Sequence, residues 1–152
     1  MKTMCVLVVV IFVMAACSNS DSNDLAAPQS NERVAFTKKV DVFGVPIYAT
    51  NTTGDHKLLH AAGVLAQYID NNEDGKPDNP LIMAALLEGE GAITMTRIEG
   101  EMRGAPRGSR PRGQGLYDEE THPNAKEEGV FDGALEEILH MVSDVGWGGA
   151  YP

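Results

Sequence analysis

The segment from Asp70 to Asp78 (DNNEDGKPD) constrains the fold of this chain more than any other stretch. Oxygen-bearing side chains occupy its first, third, fifth and ninth positions, and glycine occupies the sixth. Hard cations such as calcium need several oxygens that converge from a short loop, and glycine permits the turn that brings them together. The pattern therefore predicts a calcium site whose ligands are Asp70, Asn72, Asp74, Asp78 and the backbone carbonyl of Lys76.

Helical patterns flank this segment on both sides. Before it, apolar residues repeat at helical spacing from His56 to Ile69, which predicts a helix with Asp55 as its N-cap. After it, Asn79 and Pro80 are typical of the N-cap and the first position of a second helix, which runs to about Glu88. The sequence thus predicts a helix, a loop and a helix in succession.

This arrangement resembles the calcium sites of EF-hand and dockerin-like proteins, and the resemblance implies a bound calcium ion. Two positions depart from the pattern, since Leu81 stands where an EF-hand carries its bidentate glutamate and Pro77 occupies a usually apolar position. The departures predict a weaker or structural site, closed by a water molecule or by Glu73. The alternative is a turn rich in Asp, Asn and Gly that binds no ion.

The N-terminus has the pattern of a secretory signal peptide. Lys2 precedes an uncharged apolar run, Val6–Ala16, that is too short to span a bilayer as a helix. The run ends in VMAAC, which resembles the lipobox of bacterial lipoproteins and implies cleavage after residue 16 and a lipid on Cys17. Residues 17–35 then form a flexible, polar tether to a domain outside the cytoplasm, on the outer membrane if the cell is Gram-negative. The alternatives are an ordinary signal peptide cut nearby and an uncleaved anchor.

Length, charge and cysteine content narrow the function classes. Removal of residues 1–16 leaves 152 − 16 = 136 residues, which suits one domain. The formal net charge of −10 argues against nucleic acid as a partner, and the Arg/Gly-rich segment 104–115 lacks the aromatic residues of an RNA-binding tract. Because Cys5 and Cys17 are the two cysteines, the domain has no thiol for a disulfide, a zinc site or a nucleophile. The sequence does not indicate whether the domain binds a protein or peptide partner.

The last predicted helix contains the segment Glu136–His140 (EEILH), whose spacing suits a metal site. Residues at i and i+4 share one helix face, so Glu136 and His140 can bind one ion while Glu137 takes a proton from the bound water. The segment resembles the zincin metallopeptidase motif, with glutamate in place of the first histidine. That resemblance implies a zinc-dependent hydrolase, active or degenerate. The alternative is a surface helix with an acidic first turn.

A catalytic zinc needs a third protein ligand, and the chain after His140 offers none of the usual kind. The sequence ends at Pro152, 152 − 140 = 12 residues later, which leaves open that a C-terminal part is missing. A histidine pair at i and i+4 on the first helix has ligand spacing but is also typical of an exposed, metal-free face. The upstream candidates for this ligand are His56, His60, His122 and Glu120.

The remaining patterns complete a single small α+β domain over residues 36–152, with about three main helices and two or three short strands. Strand patterns cover Val40–Tyr48, with a break at Gly44–Pro46, and Ala92–Ile98. The last helix is predicted from Gly133 to Val145 with Asp132 as its N-cap. Its predicted buried stripe consists of Leu135, Ile138, Leu139 and Val142. We therefore expect a calcium-stabilised binding or structural lipoprotein, with the zinc hydrolase as the second hypothesis.

Overall fold

A mixed four-stranded sheet organises the described part of the chain, which in this computed structural model comprises residues 34–105 and 108–152. The strands follow one another across the sheet in sequence order. The first pair is antiparallel, and the second and third pairs are parallel. The predicted signal peptide, Cys17 and tether residues 18–33 lie outside the described residues. The strands are β1 (Phe36–Val42), β2 (Val45–Thr50), β3 (Ile93–Thr96) and β4 (Gln114–Tyr117).

The strands β1 and β2 form a hairpin whose turn is Phe43–Gly44. Both turn residues have positive φ angles, 52° and 92°, as a tight two-residue hairpin turn requires. The Gly44 N–H donates to Asp41 Oδ1 at 2.8 Å, which closes the turn. The sequence predicted one strand broken near Gly44. The break is instead a complete reversal that produces two antiparallel strands.

Helices α1 (Asp55–Ile69) and α2 (Pro80–Glu88) lie where the sequence predicted them. The prediction of Asp55 as N-cap is wrong, because Gly54 occupies that position and Asp55 Oδ1 pairs with Lys38 Nζ at 2.7 Å. The prediction for α2 is confirmed, since Asn79 Oδ1 accepts from the N–H groups of Leu81 at 3.0 Å and Ile82 at 3.2 Å. The core-facing residues of α1 are Leu58, Ala61, Leu65 and Ile69.

The C-terminal part is built on α5 (Gly133–Met141), which continues as a π-helical segment, Val142–Trp147, and a last turn, Gly148–Ala150. Asp132 is the N-cap of α5, as predicted. The predicted buried stripe is only partly correct, because Leu135 and Leu139 are 44% and 47% exposed. The shorter helices before α5 are α3 (Glu99–Gly104) and α4 (Ala125–Glu128).

The hydrophobic core lies between the sheet and the helices α1, α2 and α5. Strand side chains alternate between faces, so Gly115 faces away from the buried Leu116 and is covered by Met102 of α3. The described residues form one small domain of mixed α and β structure, which confirms the predicted class. None of their helices has the length and apolar character that crossing a membrane requires. The largest fully buried side chains include Ile47, Leu65, Leu86, Ile93, Met95, Leu116, Ile138 and Met141.

Candidate metal sites

The predicted calcium loop connects α1 to α2 through a tightly closed backbone. Asp70 is the C-cap of α1, and its N–H donates to the Ala66 carbonyl at 2.8 Å. At the far end, the Asp78 N–H donates to the Ile69 carbonyl at 2.9 Å. Gly75, at the sixth position, has a φ of 82°, in the left-handed region that favours glycine. The predicted succession of helix, loop and helix is confirmed for the backbone.

Side-chain oxygens of the loop accept hydrogen bonds from the loop's own N–H groups. Asp70 Oδ1 accepts from Asp74 N–H at 3.1 Å, and Asp70 Oδ2 accepts from Gly75 N–H at 2.8 Å. Asn72 Oδ1 accepts from the same Asp74 N–H at 2.9 Å, and Asp74 Oδ1 accepts from Lys76 N–H at 3.0 Å. These contacts turn the side chains at the first, third and fifth positions towards the backbone of the loop.

The ninth position, Asp78, folds back on the start of the loop. Its Oδ2 accepts from Asn71 N–H at 2.9 Å, and its Oδ1 accepts from the side-chain amide of Asn72 at 2.9 Å. Each carboxylate oxygen has two lone pairs, so one hydrogen bond leaves acceptor capacity for a cation. The first, third and ninth positions therefore belong to one network of contacts.

The donor chemistry of this loop fits a hard cation. Four acids, Asp70, Glu73, Asp74 and Asp78, share the loop with one base, Lys76, so its formal charge is −4 + 1 = −3. Asp70 is 7% exposed, which weakens the solvation of its charge. Within the described ranges, no group of three or more His, Cys, Asp or Glu side chains is already arranged to hold a metal ion. Calcium binding would therefore require these side chains to converge further, and their oxygens can keep the hydrogen bonds from the loop's N–H groups while they bind the ion.

The second predicted site begins with Glu136 and His140, which lie side by side on α5. Glu136 Oε1 is 3.8 Å from His140 Nε2, and the two side chains are 57% and 54% exposed. The expected i, i+4 neighbourhood is therefore present on a solvent-facing part of the helix. Two ligands on an exposed face can hold a metal ion only loosely unless a third group joins them.

Glu137 and Glu120 add two carboxylates near this pair. Glu137 Oε2 accepts from Gln114 Nε2 of β4 at 2.5 Å. Burial raises the pKa of Glu120, and the negative charges of Glu137 and Glu136 raise it further, although the hydrogen bond from Tyr117 N–H lowers it. Glu120, one of the upstream candidate ligands, is thus electrostatically coupled to the EEILH segment. Glu137 is held by an amide, which suits a positioned acid or base.

Helix α1 faces α5, as the zinc hypothesis requires, but His60 is held at the opposite end from His140. His60 Nε2 is 2.7 Å from Asp132 Oδ2, and Tyr68 OH donates to the Leu135 carbonyl at 3.0 Å. Asp132 precedes His140 by eight residues, about 12 Å along the axis at the usual helical rise. The structure therefore does not bring His60 and His140 together.

The other two histidines lie in separate places. His56 is in the first turn of α1 beside Gly54, and His122 Nδ1 is 3.6 Å from Glu128 Oε2. Neither forms a three-residue metal group with Glu136 and His140 in residues 34–105 and 108–152. The predicted zinc set of Glu136, His140, His60 and His56, with Glu137 as base, remains a prediction.

Asp132 is the most connected acid near α5, and the sequence identified it only as a cap. It is 5% exposed, and its Oδ1 accepts from the N–H groups of His122 at 2.9 Å and Ala134 at 3.2 Å. Burial raises the pKa of Asp132, but the hydrogen bonds from His60, His122 and Ala134 hold that pKa below its ordinary value. The cap pattern is the one sequence signal for this residue, and it does not indicate the contact with α1.

A second junction, one helical turn before His60 on α1, was also missed. The Lys57 ammonium donates to the carbonyls of Asp118 and Thr121, and Asp118 Oδ2 accepts from Gly54 N–H at 2.6 Å. The carboxylate of Asp118 therefore satisfies the N–H of Gly54, the N-cap residue of α1, from outside the helix. This junction attaches the start of α1 to the segment that follows β4.

A shallow apolar hollow of about 170 Å³ lies beside the calcium loop. Tyr68 and Trp147 line it together with the loop residues Asp78 and Asn79. The Asn79 amide donates to Tyr151 OH at 3.1 Å, and the Tyr151 ring centroid is 5.4 Å from that of Trp147. The end of the calcium loop is thus in contact with the C-terminal aromatic residues.

Comparison of this chain with models of known protein families, with curated proteins and with solved structures finds no match. The arguments for function therefore come from the residues and their contacts. The predicted calcium loop has the most complete set of suitable donors among the candidate sites described above, and the α5 pair has two adjacent candidate ligands.

Proposed function

We propose that this protein is a calcium-stabilised binding or structural domain carried outside the cytoplasm. One observation supports this proposal above the others: the loop between α1 and α2 combines oxygen donors at the first, third, fifth and ninth positions with a left-handed glycine at the sixth. The loop's formal charge of −3 favours a bound divalent cation, which would reduce the repulsion among its acids. Calcium would be held by Asp70, Asn72, Asp74, Asp78 and the Lys76 carbonyl.

Thermal unfolding of the purified protein, with calcium and with a chelator, tests this proposal. A ligand that binds only the folded state stabilises it by about 2.7 kcal/mol at a concentration 100 times its Kd. For a domain of this size, we expect a rise in Tm of roughly 10 °C. Magnesium at the same concentration should give a smaller rise, because it accepts irregular loop geometry poorly. Equal Tm values in calcium and chelator would contradict the proposal.

Two variants localise the effect. Asp74→Asn keeps the hydrogen bond to Lys76 N–H but removes one ligand charge, so the calcium-dependent rise in Tm should fall sharply. Glu127→Gln, an exposed acid on α4, is the matched control and should retain the full rise. A calcium response that is equal in both variants would place the ion elsewhere.

We also propose that a lipid on Cys17 attaches this domain to a membrane. The support is the lipobox-like VMAAC sequence after an uncharged apolar run. In bacteria grown with labelled palmitate, the protein should take up the label, and Cys17→Ser should abolish it. Cys5→Ser is the matched control, because this cysteine lies in the segment that signal peptidase would remove. If the Cys17→Ser variant retained the label, Cys17 would be excluded as the residue that carries the lipid.

A zinc-dependent hydrolase, active or degenerate, is the second candidate. The adjacent side chains of Glu136 and His140, with Glu137 held by Gln114 nearby, favour it. Elemental analysis of the purified protein should then find one zinc per chain, lost in His140→Ala and retained in Glu127→Gln. Calcium without zinc would remove this candidate and leave the first proposal standing.

A further inference from the structure

Two adjoining hollows form a groove at the edge of the sheet where β3 and β4 begin. Their volumes are about 390 and 290 Å³, near the lower end of the size range of small-ligand sites, roughly 300 Å³. The segment Glu90–Ala92 and the side chain of Arg112 line both hollows and so lie between them. The groove is separate from the calcium loop and from the Glu136–His140 pair.

The first hollow has mainly apolar walls. Tyr48 and Pro46 of β2 form one side, and Pro111 and the buried Leu86 are among the other residues around it. Leu87, which also lines this hollow, is 50% exposed. An apolar group placed here would cover surface that is now in contact with water, which is favourable.

Charges of both signs line the groove. Arg112 and Glu90 line both hollows, and Asp144 lines the second. Arg112 is exposed, and among the ion pairs of the described residues none joins it to Glu90 or Asp144. Its guanidinium fork therefore remains available for a carboxylate, and the two acids remain available for an ammonium group.

We propose that this groove binds an α-amino acid with an apolar side chain. Its carboxylate would pair with Arg112, its ammonium group with Glu90 or Asp144, and its side chain would lie against Tyr48 and Leu87. A ligand with a carboxylate alone would face two acids, and a ligand with an amine alone would face Arg112. The zwitterion satisfies both signs of charge, and its side chain fills the apolar hollow.

Calorimetric titration with leucine, N-acetyl-leucine and leucinamide tests each charge separately. Leucine should bind, and the two capped probes should each bind at least about tenfold more weakly, the effect of losing roughly 1.4 kcal/mol. Equal affinities of the three probes, or no saturable binding of leucine, would overturn the proposal. Leucyl-leucine separates a free amino acid from a peptide, and tighter binding of this dipeptide than of leucine would also overturn it.

Two arginine variants test the assignment of the carboxylate. Arg112→Gln should weaken leucine binding about tenfold or more while leaving leucinamide binding unchanged. Arg110→Gln is the matched control, since this arginine lies in the same segment but does not line either hollow. Circular dichroism checks that both variants are folded. Equal loss of leucine binding in both variants would reject Arg112 as the carboxylate ligand.

Discussion

Asp132 joins three parts of the chain through one carboxylate. It caps α5, accepts from the backbone before α4 and pairs with His60 of α1. Its lowered pKa has a direct consequence for stability. A carboxylate whose pKa is lower in the folded state stabilises the protein above its unfolded pKa, and this contribution is lost as the pH falls through the folded pKa.

The substitution Asp132→Asn tests this contribution. The amide keeps the size and one acceptor but loses the charge, so we expect the free energy of unfolding at neutral pH to fall by about 1 to 3 kcal/mol. The difference from the unmodified protein should shrink below about pH 4, where the carboxyl group of the unfolded chain begins to protonate. Urea unfolding at a series of pH values provides the measurement. A difference that stays constant down to pH 2 would contradict this account, whereas Glu127→Gln should show little difference at any pH.

Two glycines should respond to alanine with opposite signs. Gly75 has a φ of 82°, so a side chain there is strained, and Gly75→Ala should cost roughly 1 to 2 kcal/mol. Gly63 lies within α1 with no atom within 4 Å of an added β-carbon, and Gly63→Ala should stabilise by about 0.5 to 1 kcal/mol. Denaturant midpoints without calcium measure both effects. A loss of stability in both variants would show that the open space at position 63 is needed.

Among the elements, α5 shows which structural features apolar periodicity can predict and which it cannot. Asp132 as cap and Ile138 in the core follow from the sequence and are confirmed. The periodicity does not reveal that the partner surfaces contact the side of the helix bearing Ala134, Ile138 and Met141. Leu135 and Leu139 each follow a buried residue in sequence and so lie about 100° around the helix, where they remain nearly half exposed. The hydrophobic pattern predicts that α5 is a helix. Which side of α5 faces the core depends on neighbours that are distant in sequence.

The sheet was less predictable because its strands are short. β4 has the sequence QGLY, in which Leu116 alone is fully buried, and a strand of this length has too few residues to display a period of two. The hairpin turn at Phe43–Gly44 lacks the Asn-Gly or Asp-Gly signal of such turns, so the sequence predicts only a break within one strand. Pairing between β3 and β4 depends on the whole fold.

Contact between α2 and the π-helical segment gives a test at the level of elements. A β-carbon at position 146 would lie 2.8 Å from Cγ2 of Ile82, whereas one at position 148 would lie 3.7 Å from its nearest neighbour, the Ser143 carbonyl oxygen. We expect Gly146→Ala to destabilise the protein by about 1 to 3 kcal/mol, because the two elements must separate. Gly148→Ala is the matched control and should change stability by about 0.5 kcal/mol or less. Equal effects in thermal unfolding would show that these elements do not pack closely.

For the whole molecule, local sequence predicts the helix, loop and helix around Asp70–Asp78 but not the contacts of the histidines. The predicted calcium donors lie within one short segment, so their spacing along the chain limits how far apart they can lie. A zinc site would need ligands from α1 and α5, and the sequence could not show that His60 contacts Asp132, far from His140. The junction of Lys57 with Asp118 was equally invisible, because its partners are 61 residues apart.

The contact between Asn79 and Tyr151 gives the protein an optical reporter of its own. Trp147 is the chain's single tryptophan, and it shares a hollow with Asp78 of the calcium loop. If calcium draws Asp78 inward, the indole should experience a change in polarity, and its fluorescence emission should shift during a calcium titration. Asp74→Asn should abolish the shift without changing the emission of the calcium-free protein. A calcium-dependent rise in Tm with constant emission would show that the loop moves independently of the aromatic residues. Because the tryptophan belongs to the protein, this measurement needs no added dye.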